Sequence, residues 1–432
     1  MKLNSVSIQN FRCFKDLTIN FDPQMNVIIG NNGVGKTAIL DALAVGIGSF
    51  FLGIESIPSV NIKKEDVRFS TNVLGSVIDR QPQYPVVIEC NAELNGNATW
   101  IRELNTENTN TTFSKAEQIK SYARDLQNKI RKNDENVCLP LLSYYGTGRL
   151  WAQKRKNQDV ASTKDHLNRF RGYTDCLSAE SNEKIMLDWF RRMTYTELQE
   201  KKDVPELHAV LNAVEQSFIE SGIEVNDVKV QYSVKTEQLE ITYKDKNNSD
   251  ENHPFHELSA GYRNMLSLVA DIAYRMARLN PQLLDEVTKK TEGIVLIDEI
   301  DLHLHPIWQK KILKTLRSIF PCIQFIVTTH APSVISSARR EELLILNDEH
   351  CEPFNYEVYG KDVNSVLSEI MGTSERPDDV AQMFNMFHTL LDNEQYEEAK
   401  AKLDELRGIL GENDNEVISS SISLDFKKEW SE

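Results

Sequence analysis

The sequence predicts an α/β fold: a parallel sheet with its polar, chemistry-bearing residues at the carboxyl ends of its strands, a compact helical insertion and a C-terminal helical hairpin. Three observations predict it. Met25 to Ile29 is an apolar run, with Asn26 as its one polar residue, that leads into a glycine-rich loop and an apolar helix. Ile294 to Ile297 is a second such run and ends in two carboxylates. Ile323 to Val327 is a third and ends in Thr328, Thr329 and His330. Strands buried on both faces read as unbroken apolar runs, and an open α/β sheet binds its ligand beyond their carboxyl ends.

The elements follow in order. Ser5 to Phe21 alternates apolar and polar residues in two runs, as two half-buried strands do. The apolar strand then ends in Gly30-Asn31-Asn32-Gly33-Val34-Gly35-Lys36-Thr37, which fits GxxxxGK[ST] at every fixed position. The three glycines let backbone N–H groups turn inward around phosphates, and the helix that continues through Ala38 adds its dipole. Lys36 is placed to reach the β and γ phosphates, and the Thr37 hydroxyl to join a Mg²⁺ shell, so ATP and Mg²⁺ are the expected cofactors. Residues 38–54 are nearly all apolar. With Asp41 inside it, the segment is short for a bilayer and reads as a buried helix, with no membrane role.

The carboxylates at the second strand end divide by position. Asp298 suits Mg²⁺ coordination through water, and Glu299 suits the general base that activates the attacking water. His330 at the neighbouring strand end is expected to sense the γ phosphate. His303 and His305 have no third ligand at a suitable spacing, so their loop is read as facing another subunit and not as a zinc site. Upstream, His256 to Asn264 reads HELSAGYRN, the start of a helix built to hold an anion at Ser259, Ala260 and Gly261.

These motifs, in this order, resemble the ABC-type ATPases of the SMC/RecF class. The residues that carry the resemblance are IQNFRCF, NNGVGKTAILDAL, LSAGYRN, LIDEIDLHLHP and VTTHAP, across residues 1 to about 350. The resemblance implies that Arg12 lies near the nucleotide, that Asp301 is the D-loop aspartate and that His330 is the switch histidine. It also implies that Ser259 and Gly261 serve the ATP of a facing subunit, so an ATP-sandwich homodimer and a higher oligomer are expected. The Q-loop glutamine is not matched: Gln153 is the nearest candidate Mg²⁺ ligand after Tyr144 to Arg149. A narrower resemblance lies in the tail from Tyr356 onward, which looks like that of ATPase subunits of Septu-type anti-phage systems, including retron-associated ones. It implies an HNH-type nuclease partner and, for retrons, a reverse transcriptase with its nucleic acid. The implied function is an ATP-hydrolysing regulatory or sensor subunit of a defence complex, with a RecF-like repair ATPase as the alternative.

The expected domains are 1–112 and 223–350 as the two parts of the head, 113–222 as a helical insertion with a basic segment, and 351–432 as an acidic helical module. The chain carries 49 Lys and Arg against 65 Asp and Glu, a formal charge of −16, so any contact with DNA or RNA has to be local. Arg149 to Arg171, with seven bases and two acids, is the candidate stretch. No secretory signal opens the sequence and the six cysteines show no paired spacing, so a cytoplasmic location is expected. The hundred residues after His330 show no catalytic metal cluster, so the chain is not expected to be a nuclease itself.

Overall fold

A computed structural model of the protein describes all residues except 56, 75, 151–167, 179–182, 223–224, 245–248, 348–349 and 432. The described chain divides into two compact units, Met1–Gly360 and Lys361–Glu432.

The first unit opens with β1 (Lys2–Phe11) and β2 (Phe14–Asn20), in which buried and exposed positions alternate. β3 (Met25–Ile29) is buried throughout and leads through the phosphate loop to α1 (Lys36–Ile47). A two-stranded ribbon, β4 (Phe69–Leu74) and β5 (Val77–Pro82), precedes β6 (Val86–Glu93) and β7 (Asn97–Leu104). Then come α2 (Glu117–Arg131), β8 (Leu141–Tyr145), α3 (Glu183–Glu200) and α4 (Pro205–Glu220). The antiparallel strands β9 (Asn226–Ser233), β10 (Gln238–Lys244) and β11 (Asp250–Pro254) lead to α5 (Ala260–Leu279). β12 (Gly293–Ile297), β13 (Ile323–Thr328), β14 (Leu343–Asn347) and β15 (His350–Pro353) complete the unit.

These strands form a six-stranded sheet in the order β15-β14-β3-β13-β12-β8, parallel except for β15, and an antiparallel sheet in the order β2-β1-β6-β7. Between them lies α1, continued by a 3₁₀ segment, Gly48–Gly53. The apolar stretch Lys36–Gly53 is long enough to cross a membrane by length and composition, but 83% of it is buried within the protein. Its contacts are intimate. The Trp100 indole donates to the Gly46 carbonyl at 2.8 Å, and a Cβ on Gly53 would lie 2.2 Å from the Lys120 carbonyl oxygen.

Two of the expected boundaries shift. The 113–222 segment is not wholly a helical insertion, because β8 lies inside it and pairs in parallel with β12. The head also runs past residue 350, since β15 closes the sheet edge, and the division falls after Gly360. The expected C-terminal hairpin is present as Asp378–Asp392 and Tyr396–Leu410, and a third helix, Asn415–Ser431, joins it. Phe384, Phe387, Leu403, Leu406, Val417 and Leu424 share one core within this unit. Each buried side chain of that size contributes about 1.5–3 kcal/mol.

The β8–β12 pairing depends on Gly293. A Cβ there would lie 2.0 Å from the Leu141 carbonyl oxygen. Gly293→Ala is therefore expected to cost about 1–3 kcal/mol through forced backbone displacement. Urea unfolding monitored at unchanged m-value tests this, and wild-type stability would argue against so close an approach.

Candidate functional site

The carboxyl ends of β3, β13, β12 and β8 bring the phosphate loop and the acidic pair together. Asp298 is 2% exposed and accepts hydrogen bonds on both carboxylate oxygens: from Thr37 Oγ1 at 2.8 Å and from Thr328 Oγ1 at 2.6 Å. Its backbone N–H donates to the Tyr145 carbonyl at 2.8 Å. One residue on, Glu299 turns into the left-handed region at φ 47°, and its N–H donates to Thr328 Oγ1 at 2.8 Å. A non-glycine residue held there stores strain and is found most often where a side chain must be aimed. Asp301 accepts a hydrogen bond from Thr329 Oγ1 at 2.5 Å, which ties the loop after β12 to the end of β13.

In the phosphate loop, Lys36 Nζ donates to the carbonyls of Gly30 at 2.8 Å and Asn31 at 3.0 Å, curling the loop around its own ammonium. Burial lowers the Lys36 pKa, opposed by the nearby carboxylates of Asp298, Glu299 and Asp301. Gly35 has φ 106°, and a Cβ there would meet the Cys13 sulfur at 2.4 Å and the Phe14 ring at 2.6 Å. The turn between β1 and β2 is thus packed against the loop. Burial, then the Lys36 charge, lower the His330 pKa, so this imidazole is neutral near pH 7.

Arg12 sits on that same turn, and its charge is already engaged. It contacts Asp41 at 2.6 Å and Asp66 at 2.9 Å. Asp41 is raised above the usual carboxylate range by burial, opposed by Arg12 and by a hydrogen bond from Tyr144. Beside them opens a cavity of about 650 Å³ whose lining includes Arg12, Asp41, Asn61, Lys63, Asp66 and Tyr144. Arg102, 1% exposed, donates to Ser59 Oγ at 3.1 Å and Asn61 Oδ1 at 2.7 Å, holding the loop that forms one wall. Burial pushes its pKa down to about 10.

The signature residues occupy a different place. Ser259 is the residue before α5, and it and Ala260 are exposed. Their helix is tied to the loop after Asp301: Asn264 Nδ2 donates to the Leu302 carbonyl at 2.7 Å, and Gly261 lies so close that a Cβ would be 2.6 Å from the His303 carbonyl oxygen. Gln153, and Lys154 to Lys156 of the basic stretch, lie outside the described residues. Asp41, Asp66, Tyr144, Tyr145 and Asn264 were not singled out from the sequence as site residues. Asp41 alone carried a local signal, being one helical turn after Thr37 and so on the same face.

Taken together, this fold and this site define a P-loop ATPase head of the ABC type. The chain belongs to the AAA domain family, whose model matches residues 5–221; a second AAA-domain model matches residues 118–336. The retron Ec83 probable ATPase of Escherichia coli is 25% identical, the match covering 100% of this chain and 88% of that protein. The Septu protein PtuA of Bacillus thuringiensis is 26% identical, with 93% of each chain covered. Among solved structures, an Smc head bound to the C-winged helix domain of ScpA aligns with 83% of this chain and 99% of that one, at 15% identity and a TM-score of 0.46.

The site yields two expectations. Glu299→Gln should retain ATP binding and lose about 10²- to 10⁴-fold in hydrolysis, the usual cost of removing a positioned base, while Lys36→Ala should weaken binding itself. Steady-state turnover and nucleotide titration separate the two. For His330 the folded pKa lies below the unfolded one, about 6.5, so stability is retained above that pH and falls as acidification proceeds towards the folded pKa. Replacing His330 with Gln should flatten this part of the pH dependence of the urea midpoint between pH 7.5 and 5. An unchanged slope would show that His330 does not titrate as its burial requires.

Proposed function

We propose that the chain is an ATP-binding and ATP-hydrolysing subunit of an anti-phage defence assembly. Two copies close head to tail around Mg²⁺-ATP, and occupancy of the two sites controls a separate nuclease. The observation that carries the pairing is the placement of α5. A helix of 20 residues leaves four N–H groups unsatisfied at its start and concentrates partial positive charge there. Here that end is exposed at Ser259 and Ala260 while the helix is fixed to the D-loop of its own chain. An anion site of this kind suits the phosphate of a facing molecule.

Within one chain, Asp298 and Thr37 are the residues suited to hold Mg²⁺, which would neutralise charge on the phosphates and orient them. Lys36 and the loop N–H groups would cradle the β and γ phosphates, Glu299 would take a proton from the attacking water, and neutral His330 would donate or accept a hydrogen bond near the γ phosphate. The cavity beside Arg12 has the size and the mixed polar lining for the nucleoside end of ATP. Similarity over nearly the whole chain to the retron and Septu ATPases supports the defence reading over RecF-type repair. The effector is then a nuclease of HNH type, with a reverse transcriptase and its nucleic acid joining in a retron setting.

Mixing two inactive variants tests the pairing. Lys36→Ala spoils the phosphate loop a chain carries, and Ser259→Arg spoils the signature it lends, so each homodimer has two defective sites. Their heterodimer has one site defective twice and one intact. Nucleotide-dependent dimerisation, measured by light scattering, should be lost in each variant and return on mixing, a readout unaffected by coupling between the sites in turnover. If the mixture stays monomeric where subunits demonstrably exchange, the signature does not act in trans.

A further inference from the structure

Between the nucleotide site and the signature lies a closed ring of buried polar contacts. Tyr145 is the last residue of β8, and its carbonyl accepts the N–H of Asp298. Its hydroxyl donates to Asp271 Oδ2 at 2.7 Å, in the middle of α5. Asp271 also pairs with Arg275 Nε at 2.7 Å, and these two side chains are 16% and 8% exposed. Arg275 Nη1 then donates to the carbonyls of Gly172 and Thr174, each at 2.9 Å. That segment returns to the sheet, since Tyr144 N–H donates to the Cys176 carbonyl at 2.7 Å.

A phenol buried on an apolar strand end needs a partner, but it does not need an ion pair; a serine or a carbonyl would satisfy it. The ring does more than satisfy a hydroxyl. Asp298 is bound through its side chain to Thr37 of the phosphate loop and through its backbone to Tyr145, so a shift of the metal-binding carboxylate acts on the end of β8. Tyr145 passes such a shift to the fourth turn of α5, and the Asn264–Leu302 contact gives α5 a second fixed point, on the loop after β12. A rigid helix held at two points near one ligand site is an element that ligand can bias.

We propose that Tyr145, Asp271 and Arg275 are positioning residues that couple nucleotide occupancy in a chain's own phosphate loop to the pose of its own signature helix. None of them touches nucleotide. Binding of Mg²⁺-ATP in one chain thereby readies the signature that chain offers outward. The inference rests on the proposed function only for what Ser259 then meets; the coupling itself lies within one chain.

The test therefore keeps chains apart. In a Ser259→Arg background, hydrogen exchange of the amides of residues 264–271 is measured with and without Mg²⁺-ATP. The expected result is an ATP-induced change of about 5-fold or more, the low end of ordinary site-to-site coupling. Adding Tyr145→Phe, which removes only the hydroxyl, should abolish that change while leaving ATP affinity within about 2-fold, since the phosphate contacts are untouched. Asp271→Asn should act alike, and the two together should be no worse than either, as members of one unit are. Contacts serving stability alone would raise exchange equally with and without ATP and leave the difference intact. An undiminished ATP response in Tyr145→Phe, or no response in its parent, overturns the proposal. Failure of head-to-tail pairing would show only in the mixing experiment.

Discussion

The two hydrogen bonds on the Asp298 carboxylate are the constraint around which this protein is arranged. A buried carboxylate is costly unless its oxygens are satisfied, and here the partners come from Thr37 at the start of α1 and Thr328 at the end of β13. Three strands that are remote in sequence must therefore end at one level. Their register does this: Ile297 pairs with Val327 on one side and with Tyr145 on the other, and Thr328 pairs with Ile28 at the end of the phosphate-loop strand. The side chains suited to Mg²⁺ and to water activation are then held by a sheet buried on both faces, which is rigid in the way a chemical site requires.

The same rigidity explains why the signature lies elsewhere. α5 is packed through Gly261 and Asn264 on the loop that follows Asp301, and this leaves Ser259 and Ala260 exposed at its amino end. Arg12 shows the complementary arrangement on the loop side. Its guanidinium is neutralised by Asp41 and Asp66, so its charge does not add to that of Lys36. The C-terminal unit has its own core, built around Phe387 and its neighbours.

Much of this was legible in the sequence, and the reasons are physical. β3, β12 and β13 are buried on both faces, so each is an apolar run, broken only by Asn26 in β3 and Gln324 in β13, and each ends in residues whose chemistry is recognisable without a structure. The phosphate loop was legible because only glycine serves at turns as tight as Gly35, against the Cys13 sulfur. β8 was harder. Its five residues, Leu-Leu-Ser-Tyr-Tyr, are too few and too mixed to distinguish a buried edge strand from part of a helical segment. The partners of Arg12 lie 29 and 54 positions away, and Tyr145 meets Asp271 across 126, separations at which no local pattern survives. The third C-terminal helix was obscured by its serines, one of which, Ser420, is buried on the face that carries Val417 and Leu424.

Whether Asp298 is a metal-binding carboxylate held ready by two threonines is tested most directly by calorimetric titration of ATP with and without Mg²⁺. The wild-type chain should bind ATP more tightly when Mg²⁺ is present, and Asp298→Asn, which preserves size and one acceptor oxygen, should lose that Mg²⁺-dependent gain while retaining its metal-free affinity. An Asp298→Asn chain that gains as much from Mg²⁺ as the wild type would contradict the account, because the metal would then be held by residues other than those this sheet brings together.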